Sequence, residues 1–238
     1  MSRSDGRGGG SILGAVLEVV GLLVVAVVIS LVVGIAFLVQ TVALGYDLET
    51  TPVLLGVTAA GQVGFLLVAA AYVRRRRVPL SLELPSARDL RLAAAGVVVA
   101  FGLAMVLSVL LAVFDLLPSS VIDEVIANDP TFAVGLAVLS VVLVAPAEEL
   151  LFRGAIQGRL RQRLGPVSAV AGSSLLFGAV HLANYAGEPV PILAGAALIA
   201  IVGTVLGALY EYTGNLAVPI ATHATYNVIL AALALVAP

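Results

Sequence analysis

Hydrophobic residues occur in long runs along most of the chain, separated by short clusters of glycine, proline and charged residues. The runs cover residues 12–39, 53–73, 92–114, 131–152, 167–185, 191–210 and 216–236. A helix needs about 20 apolar residues to cross the hydrocarbon core of a bilayer, and most of the runs reach that length. The pattern therefore predicts an all-α, polytopic transmembrane helix bundle of about seven to eight spans.

The composition supports this fold class. Of the 238 residues, 61% are hydrophobic and only 11% are charged, whereas soluble domains carry roughly 25% charged residues. We expect an integral, multi-pass membrane protein whose main surroundings are the lipid bilayer, with no nucleic-acid partner. The chain has no cysteine, which excludes disulfides, thiolate metal sites and a cysteine nucleophile.

Three regions are predicted along the chain. Residues 1–11 form a flexible leader, residues 12–130 hold the N-terminal transmembrane helices, and residues 131–236 form a catalytic core. The first apolar run is longer than the h-region of a signal peptide and contains no clear small-x-small cleavage motif. We therefore expect it to be retained as the first span.

Arginine residues cluster at alternate connections between the predicted spans. They precede the first span (Arg3, Arg7), lie between the second and third (Arg74–Arg77, Arg88, Arg91) and follow the fourth (Arg153, Arg159, Arg161, Arg163). The other connections carry acids instead (Asp47, Glu49, Asp115, Asp123, Glu124, Asp129). Because arginine and lysine are enriched in cytoplasmic loops, the N-terminus is predicted to be cytoplasmic.

A few polar side chains remain inside the apolar runs, where an ionisable group is expensive and indicates function. They are Glu148, Glu149, Arg153, His181, His223 and Asn227. Glu149 and Arg153 are four residues apart and can pair along one helix face. Glu148 points about 100° away from Glu149, which leaves its carboxylate free to face other helices.

Glu148 and His181 lie at similar distances from a predicted turn at Gly165-Pro166. In a helical hairpin with this turn at its tip, both side chains are about 25 Å from the turn, so they can share a site. A straight helix over residues 131–165 would measure about 50 Å, more than the bilayer core. Either its arginine-bearing end protrudes or Pro146 breaks it, and residues 182–190 need an irregular path.

Two histidines, a glutamate and an asparagine in an apolar cavity form a plausible water-activating site. Glu148 could act as general base, with His223 and Asn227 donating hydrogen bonds to the oxyanion of an attacked carbonyl. Alternatively, Glu148, His181 and His223 match the three-ligand pattern of catalytic zinc. The sequence leaves open whether the water is activated by glutamate alone or by a bound metal.

Three motifs in the second half of the chain carry a resemblance to a known family. They are Glu148, Glu149 and Arg153 in "EELLFR", Phe177 and His181 in "FGAVH", and His223 and Asn227 in "HATYN". In this order they resemble the EExxxR, FxxxH and HxxxN motifs of the CPBP intramembrane proteases, also called CAAX prenyl protease type 2 or the Abi family. The resemblance covers residues 131–236.

The resemblance implies an intramembrane endopeptidase whose site opens toward the cytoplasm. It makes Glu148 the water-activating base, His181 a partner in holding the water, and His223 and Asn227 the oxyanion side. Glu149, Arg153 and Phe177 would support the site. The implied substrate is a membrane peptide or protein, such as a lipidated C-terminus or a bacteriocin precursor, and the implied cofactor is a divalent metal such as zinc or none.

Two other functions fit the same residues. A non-enzymatic bacteriocin-immunity or membrane-scaffold protein would not need the chemistry of Glu148 and His223. A proton-coupled transporter could use the buried acids as proton sites.

Overall fold

The computed structural model describes residues 11–236. Within that range, seven helices are long and apolar enough to cross a membrane, which confirms the predicted all-α bundle. In chain order the helices are α1 (Ile12–Ala43), α2 (Thr51–Arg76), α3 (Ala87–Val113), the short α4 (Val121–Asn128), α5 (Thr131–Arg161), α6 (Pro166–Val180), α7 (Pro189–Thr213) and α8 (Ala217–Val236).

The helix ends follow from local sequence. Ser11 is the N-cap of α1, and its hydroxyl accepts a hydrogen bond from the backbone of Gly14 at 2.9 Å. Ser86 and Asp89 form a reciprocal capping box at the start of α3. At the end of α7, Gly214 adopts φ 65°, a left-handed conformation that glycine accepts without strain. The rest of the predicted leader, residues 1–10, lies outside the described residues.

Helix α5 is continuous, and Pro146 does not break it. Two segments of α5 are π-helical, Ser140–Val144 and Leu150–Gln157, and the amide of Ala145 bonds the carbonyl of Ser140 five residues back. This wider turn ends just before Pro146, whose ring has no N–H to donate. The π-helical turn therefore accommodates the proline without breaking the helix. Helix α5 extends for 31 residues, or about 46 Å.

The connection after α6 is irregular, as predicted. Helix α6 ends at Val180, a 3₁₀ turn covers His181–Asn184, and strand β2 (Tyr185–Ala186) follows. Strand β2 pairs antiparallel with β1 (Ser119–Ser120), in the register Ser119 to Ala186 and Ser120 to Tyr185. This short pairing, which the hydrophobic pattern did not predict, ties the end of the α6 segment to the start of α4.

Helix α5 lies at the centre of the bundle. Several of the largest fully buried side chains belong to it: Leu151, Phe152, Arg153, Ile156 and Gln157. The main apolar cluster joins this helix to α1, α2 and α6. By contrast, α1 leaves most of its apolar side chains exposed, as a lipid-facing helix does.

Small residues let neighbouring helices approach closely. A Cβ atom on Gly178 of α6 would lie 2.4 Å from the carbonyl oxygen of Ala196 in α7. A Cβ atom on Gly64 of α2 would lie 2.7 Å from Cα of Ser30 in α1. Backbone contacts of this kind are characteristic of helix packing in membranes.

Charged residues separate to opposite ends of the bundle. At one end Glu18 pairs with Arg76 at 2.7 Å and with Arg159 at 2.8 Å, while Arg161 pairs with Glu211 at 2.8 Å. We call this the arginine end. The opposite end carries the acidic connections after α1 and α3. The cytoplasmic location of the arginine end, and with it of the N-terminus, remains a prediction from the positive-inside rule.

Candidate active site

The structure brings Glu148, His181 and His223 together. Glu148 lies in α5, His181 begins the 3₁₀ turn after α6, and His223 lies in α8. Glu148 Oε2 is 4.0 Å from His181 Nε2 and 3.9 Å from His223 Nε2. These separations are too long for direct hydrogen bonds and suit a single water between the three atoms.

Both histidine rings are held through their Nδ1 atoms. His181 Nδ1 is 2.7 Å from the carbonyl oxygen of Phe177, and His223 Nδ1 is 2.8 Å from Glu149 Oε1. Each oxygen is an acceptor, so each Nδ1 carries a hydrogen and donates it. In the neutral imidazole this leaves the lone pair of Nε2 facing Glu148.

Glu149 and Arg153 form a fully buried ion pair. Arg153 Nη1 lies 3.2 Å from Glu149 Oε1 and both side chains have no solvent exposure. Arg153 Nη2 also donates to the carbonyl of Gly203 in α7 at 2.8 Å. Because Glu149 Oε1 is also the acceptor for His223, this pair connects α5 to both α7 and α8. The i,i+4 pairing predicted from the sequence is present, and the contact with His223 adds to it.

Phe177 packs against both histidines and the arginine. Its ring centroid is 4.6 Å from that of His181 and 5.7 Å from that of His223. The guanidinium carbon of Arg153 lies 4.6 Å from the same ring centroid, within cation–π range. The predicted supporting residue therefore limits how far either imidazole can rotate.

Asn227 lines the same cavity one turn beyond His223. Its Nδ2 donates to the hydroxyl of Ser140 at 2.9 Å. Ser140 begins the first π-helical segment of α5 and is buried. One hydrogen of the Asn227 amide is thus fixed by α5, and the other is available for a group in the cavity.

The site opens into a cavity of about 710 Å³ lined mainly by apolar side chains. From Glu148 the lining reaches Ser120 and Asp123 near the start of α4 and Tyr185 in β2, which are at the end opposite the arginines. The cavity therefore lies in the half of the bundle remote from the arginine end. The positive-inside orientation and the cytoplasmic opening implied by the family resemblance consequently disagree for this chain.

Two polar residues at the site were not predicted. Gln62 of α2 donates from Nε2 to Glu148 Oε1 at 2.8 Å, and Ser140 accepts from Asn227. Both residues lie in apolar runs, but neither side chain is ionisable, so the criterion of a charged group inside a span does not select them. A polar side chain inside a predicted span would have been the sequence feature that indicates them.

The arrangement does not fit a three-ligand metal centre. In residues 11–236 no group of three or more His, Asp and Glu side chains is placed to hold a metal ion. The set predicted from the sequence, Glu148, His181 and His223, is spread around a gap of about 4 Å, wider than the distance between neighbouring zinc ligands.

Comparison with known proteins matches the second half of the chain to a family model. Residues 130–229 match the model described as type II CAAX prenyl endopeptidase Rce1-like. This part of the chain is thus similar to that family. The chain is also 29% identical over 153 residues to the uncharacterized protein YpbD of Bacillus subtilis (strain 168), covering 63% of this chain and 72% of that protein. No solved structure gives a significant match.

The match to the type II CAAX prenyl endopeptidase family confirms the resemblance carried by the three motifs. The family is one of proteases, so hydrolysis of peptides in a membrane is the general activity that it supports. All seven residues predicted for the site fall within the matched range, whereas Gln62 lies outside it.

Proposed function

We propose that this protein is an intramembrane endopeptidase in which Glu148 activates a water molecule for attack on a peptide carbonyl. The observation that carries the proposal is the position of Glu148 Oε2, which is buried without a hydrogen-bond partner and faces Nε2 of both histidines. A buried carboxylate oxygen that faces two nitrogens across about 4 Å is suited to hold a polarised water.

His223 lies between the two carboxylates, with Nδ1 2.8 Å from Glu149 Oε1 and Nε2 3.9 Å from Glu148 Oε2. The proposed reaction uses the doubly protonated ring, in which Nε2 also carries a hydrogen and donates it.

The reaction follows from these positions. Glu148 accepts a proton from the water while the water oxygen bonds to the peptide carbonyl carbon. His181 holds the water, and the developing oxyanion accepts hydrogen bonds from His223 Nε2 and from the free N–H of Asn227. When the C–N bond breaks, Glu148 returns the proton to the leaving amine, so the enzyme ends in its starting state.

The substrate in this proposal is a peptide segment that enters the site from within the membrane. The apolar lining of the cavity favours an apolar segment or an attached lipid chain, because a polar segment would leave its polar groups without hydrogen-bond partners there. A lipidated C-terminus and a bacteriocin precursor both have this character.

The test is a comparison of peptide termini by mass spectrometry in membranes with the wild-type protein and with Glu148→Gln. We expect new termini with the wild type and their loss in the variant, with Glu124→Gln on α4 as an active control. Equal termini from the wild type and from both Glu148→Gln and His223→Gln would contradict the protease proposal and favour an immunity or scaffold role. The metal content of the purified active protein then shows whether zinc takes part.

A further inference from the structure

Gln62 of the N-terminal helices makes a hydrogen bond to the candidate catalytic carboxylate. It lies in α2, 86 positions before Glu148 in the chain, and its Nε2 donates to Glu148 Oε1 at 2.8 Å. Among the described residues, this is the single hydrogen bond on the Glu148 carboxylate. The residues predicted from the family motifs face the other oxygen, Oε2, at about 4 Å.

The orientation of the Gln62 amide is determined by Glu148. With Nε2 toward the carboxylate, the amide oxygen Oε1 is buried and has no partner. Rotating the amide by 180° would instead place this oxygen against the carboxylate, and two acceptors repel. An unsatisfied buried acceptor is unfavourable, so the hydrogen bond to Glu148 is what keeps this orientation.

The packing of α2 on α1 fixes where Gln62 points. Gly61 and Gly64 lie against Ser30 of α1, and a Cβ atom on either would come within 3 Å of a Ser30 atom. On a helix, residue 62 is rotated about 100° from residue 61 and about 160° from residue 64. The same close contact that joins α2 to α1 therefore turns Gln62 toward α5.

We propose that Gln62 is a positioning residue for Glu148, an inference that rests on the proposed protease function. A carboxylate rotates easily about its terminal bond, and the gaps of 3.9–4.0 Å to the histidines do not stop that rotation. By holding Oε1, Gln62 keeps Oε2 aimed at the water between His181 and His223. The N-terminal helices are thus part of the active site.

The kinetic test replaces Gln62 by methionine, which keeps the size and removes the N–H donor. The probe is an internally quenched, farnesylated peptide ending in a CAAX sequence, cleaved by the full chain in detergent. A small misplacement of a catalytic group lowers rates by about 10–100-fold, so we expect kcat to fall by that factor with KM within about twofold. Gln62→Glu, which presents a second carboxylate to Glu148, should lose at least as much.

Gln157→Met is the matched control. Gln157 is also buried in a membrane helix, and its Nε2 donates to a glutamate, Glu211, at 3.0 Å, but it does not line the cavity. This variant should lose thermal stability while keeping the wild-type kcat. Equal losses of kcat in Gln62→Met and Gln157→Met would show a general structural effect and overturn the proposal.

A second measurement does not depend on activity. In the wild type, Gln62→Met should lower the melting temperature in detergent by roughly 3–12 °C, the effect of one hydrogen bond to a charged group. In a Glu148→Met background the same substitution should leave the melting temperature unchanged or raise it, because Gln62 has then lost its acceptor. If the changes in melting temperature caused by Gln62→Met and Glu148→Met add up in the double variant, the two side chains do not interact and the proposal is wrong, whether or not the probe is cleaved.

The outcomes separate the two proposals. If no substrate or probe is cleaved but the melting temperatures are non-additive, the protease proposal fails and the contact remains. If Glu148→Gln abolishes cleavage and Gln62→Met retains the wild-type kcat, the protease proposal stands and the positioning role is wrong.

Discussion

At the scale of single residues, adjacent acids have different surroundings. The carboxylate of Glu149 is fully buried and pairs with Arg153 and His223. Glu148, one residue earlier, has one oxygen held by Gln62 and the other facing two histidines. Consecutive helix residues are rotated by about 100° about the helix axis, so the two carboxylates face different neighbours. Glu149 is suited to orient the histidine, and Glu148 is suited to the proposed role of general base.

The buried ion pair gives a stability prediction. Arg153→Met leaves Glu149 ionised in the protein interior without its arginine, and breaking a buried pair in this way lowers the free energy of unfolding by about 3–5 kcal/mol. Chemical unfolding in detergent measures the change. Arg161→Met, which breaks the more exposed pair with Glu211, should change it by about 1 kcal/mol or less; similar losses in both variants would contradict the expectation.

At the scale of secondary-structure elements, different helices position different residues of the candidate site at the same depth in the bundle. Helix α5 supplies Glu148 between two π-helical segments, and the end of α6 supplies His181 where the helix tightens into a 3₁₀ turn. π-Helical turns are frequent at functional sites because they change which way the following side chains point. The close contact of α6 with α7 then holds His181 in place.

That contact can be tested with one added methyl group. In Gly178→Ala the new Cβ meets the backbone carbonyl of Ala196, and backbone cannot move aside as a side chain can. We expect a loss of about 1–3 kcal/mol in unfolding free energy and reduced proteolysis, because α6 carries His181. Gly102→Ala in α3 has open space around the new methyl group and should be neutral or slightly stabilising; an equal loss there would argue against the packing explanation.

The junction of α2 and α5 gives a pH prediction. Hydrogen bonds from Thr51 and Thr131 hold the pKa of the Asp129 carboxyl below its ordinary value of 3.8. A pKa lowered by folding stabilises the protein above the unfolded value, and this contribution is lost as pH falls through the folded value. The melting temperature of wild type should thus exceed that of Asp129→Asn at neutral pH, and the difference should shrink below about pH 4. A difference that does not change with pH would contradict this.

At the scale of the whole molecule, charge and cavity lie at opposite ends. Apart from Arg153, the arginines of the described residues lie in the helix ends and connections of the arginine end, and the cavity extends toward the acidic end. The positive-inside rule predicts that the arginine end is cytoplasmic and, with it, that the cavity lies in the outer half of the membrane.

Because the chain has no native cysteine, single cysteines can report this orientation. A membrane-impermeant maleimide should label Tyr46→Cys, at the acidic end, on intact cells. Leu84→Cys, at the arginine end, should be labelled only after the membrane is permeabilised. Both side chains are well exposed, so accessibility depends on the side of the membrane. The opposite pattern would place the cavity on the cytoplasmic side, as the family resemblance implies.

The amino-acid sequence alone was enough to predict the helices, their approximate limits and seven residues of the candidate site. Span length and helical spacing are local properties, and they were sufficient to relate Glu148 to His181 and Glu149 to Arg153. Only the tertiary structure decided that His223 bonds Glu149, that Ser140 holds Asn227 and that Gln62 holds Glu148. In each contact the two residues are 74 to 87 positions apart in the chain and lie on different helices. The contacts depend on the rotation of each helix about its axis and on how closely the glycines allow helices to pack. The spacing of residues along a single helix determines neither of these.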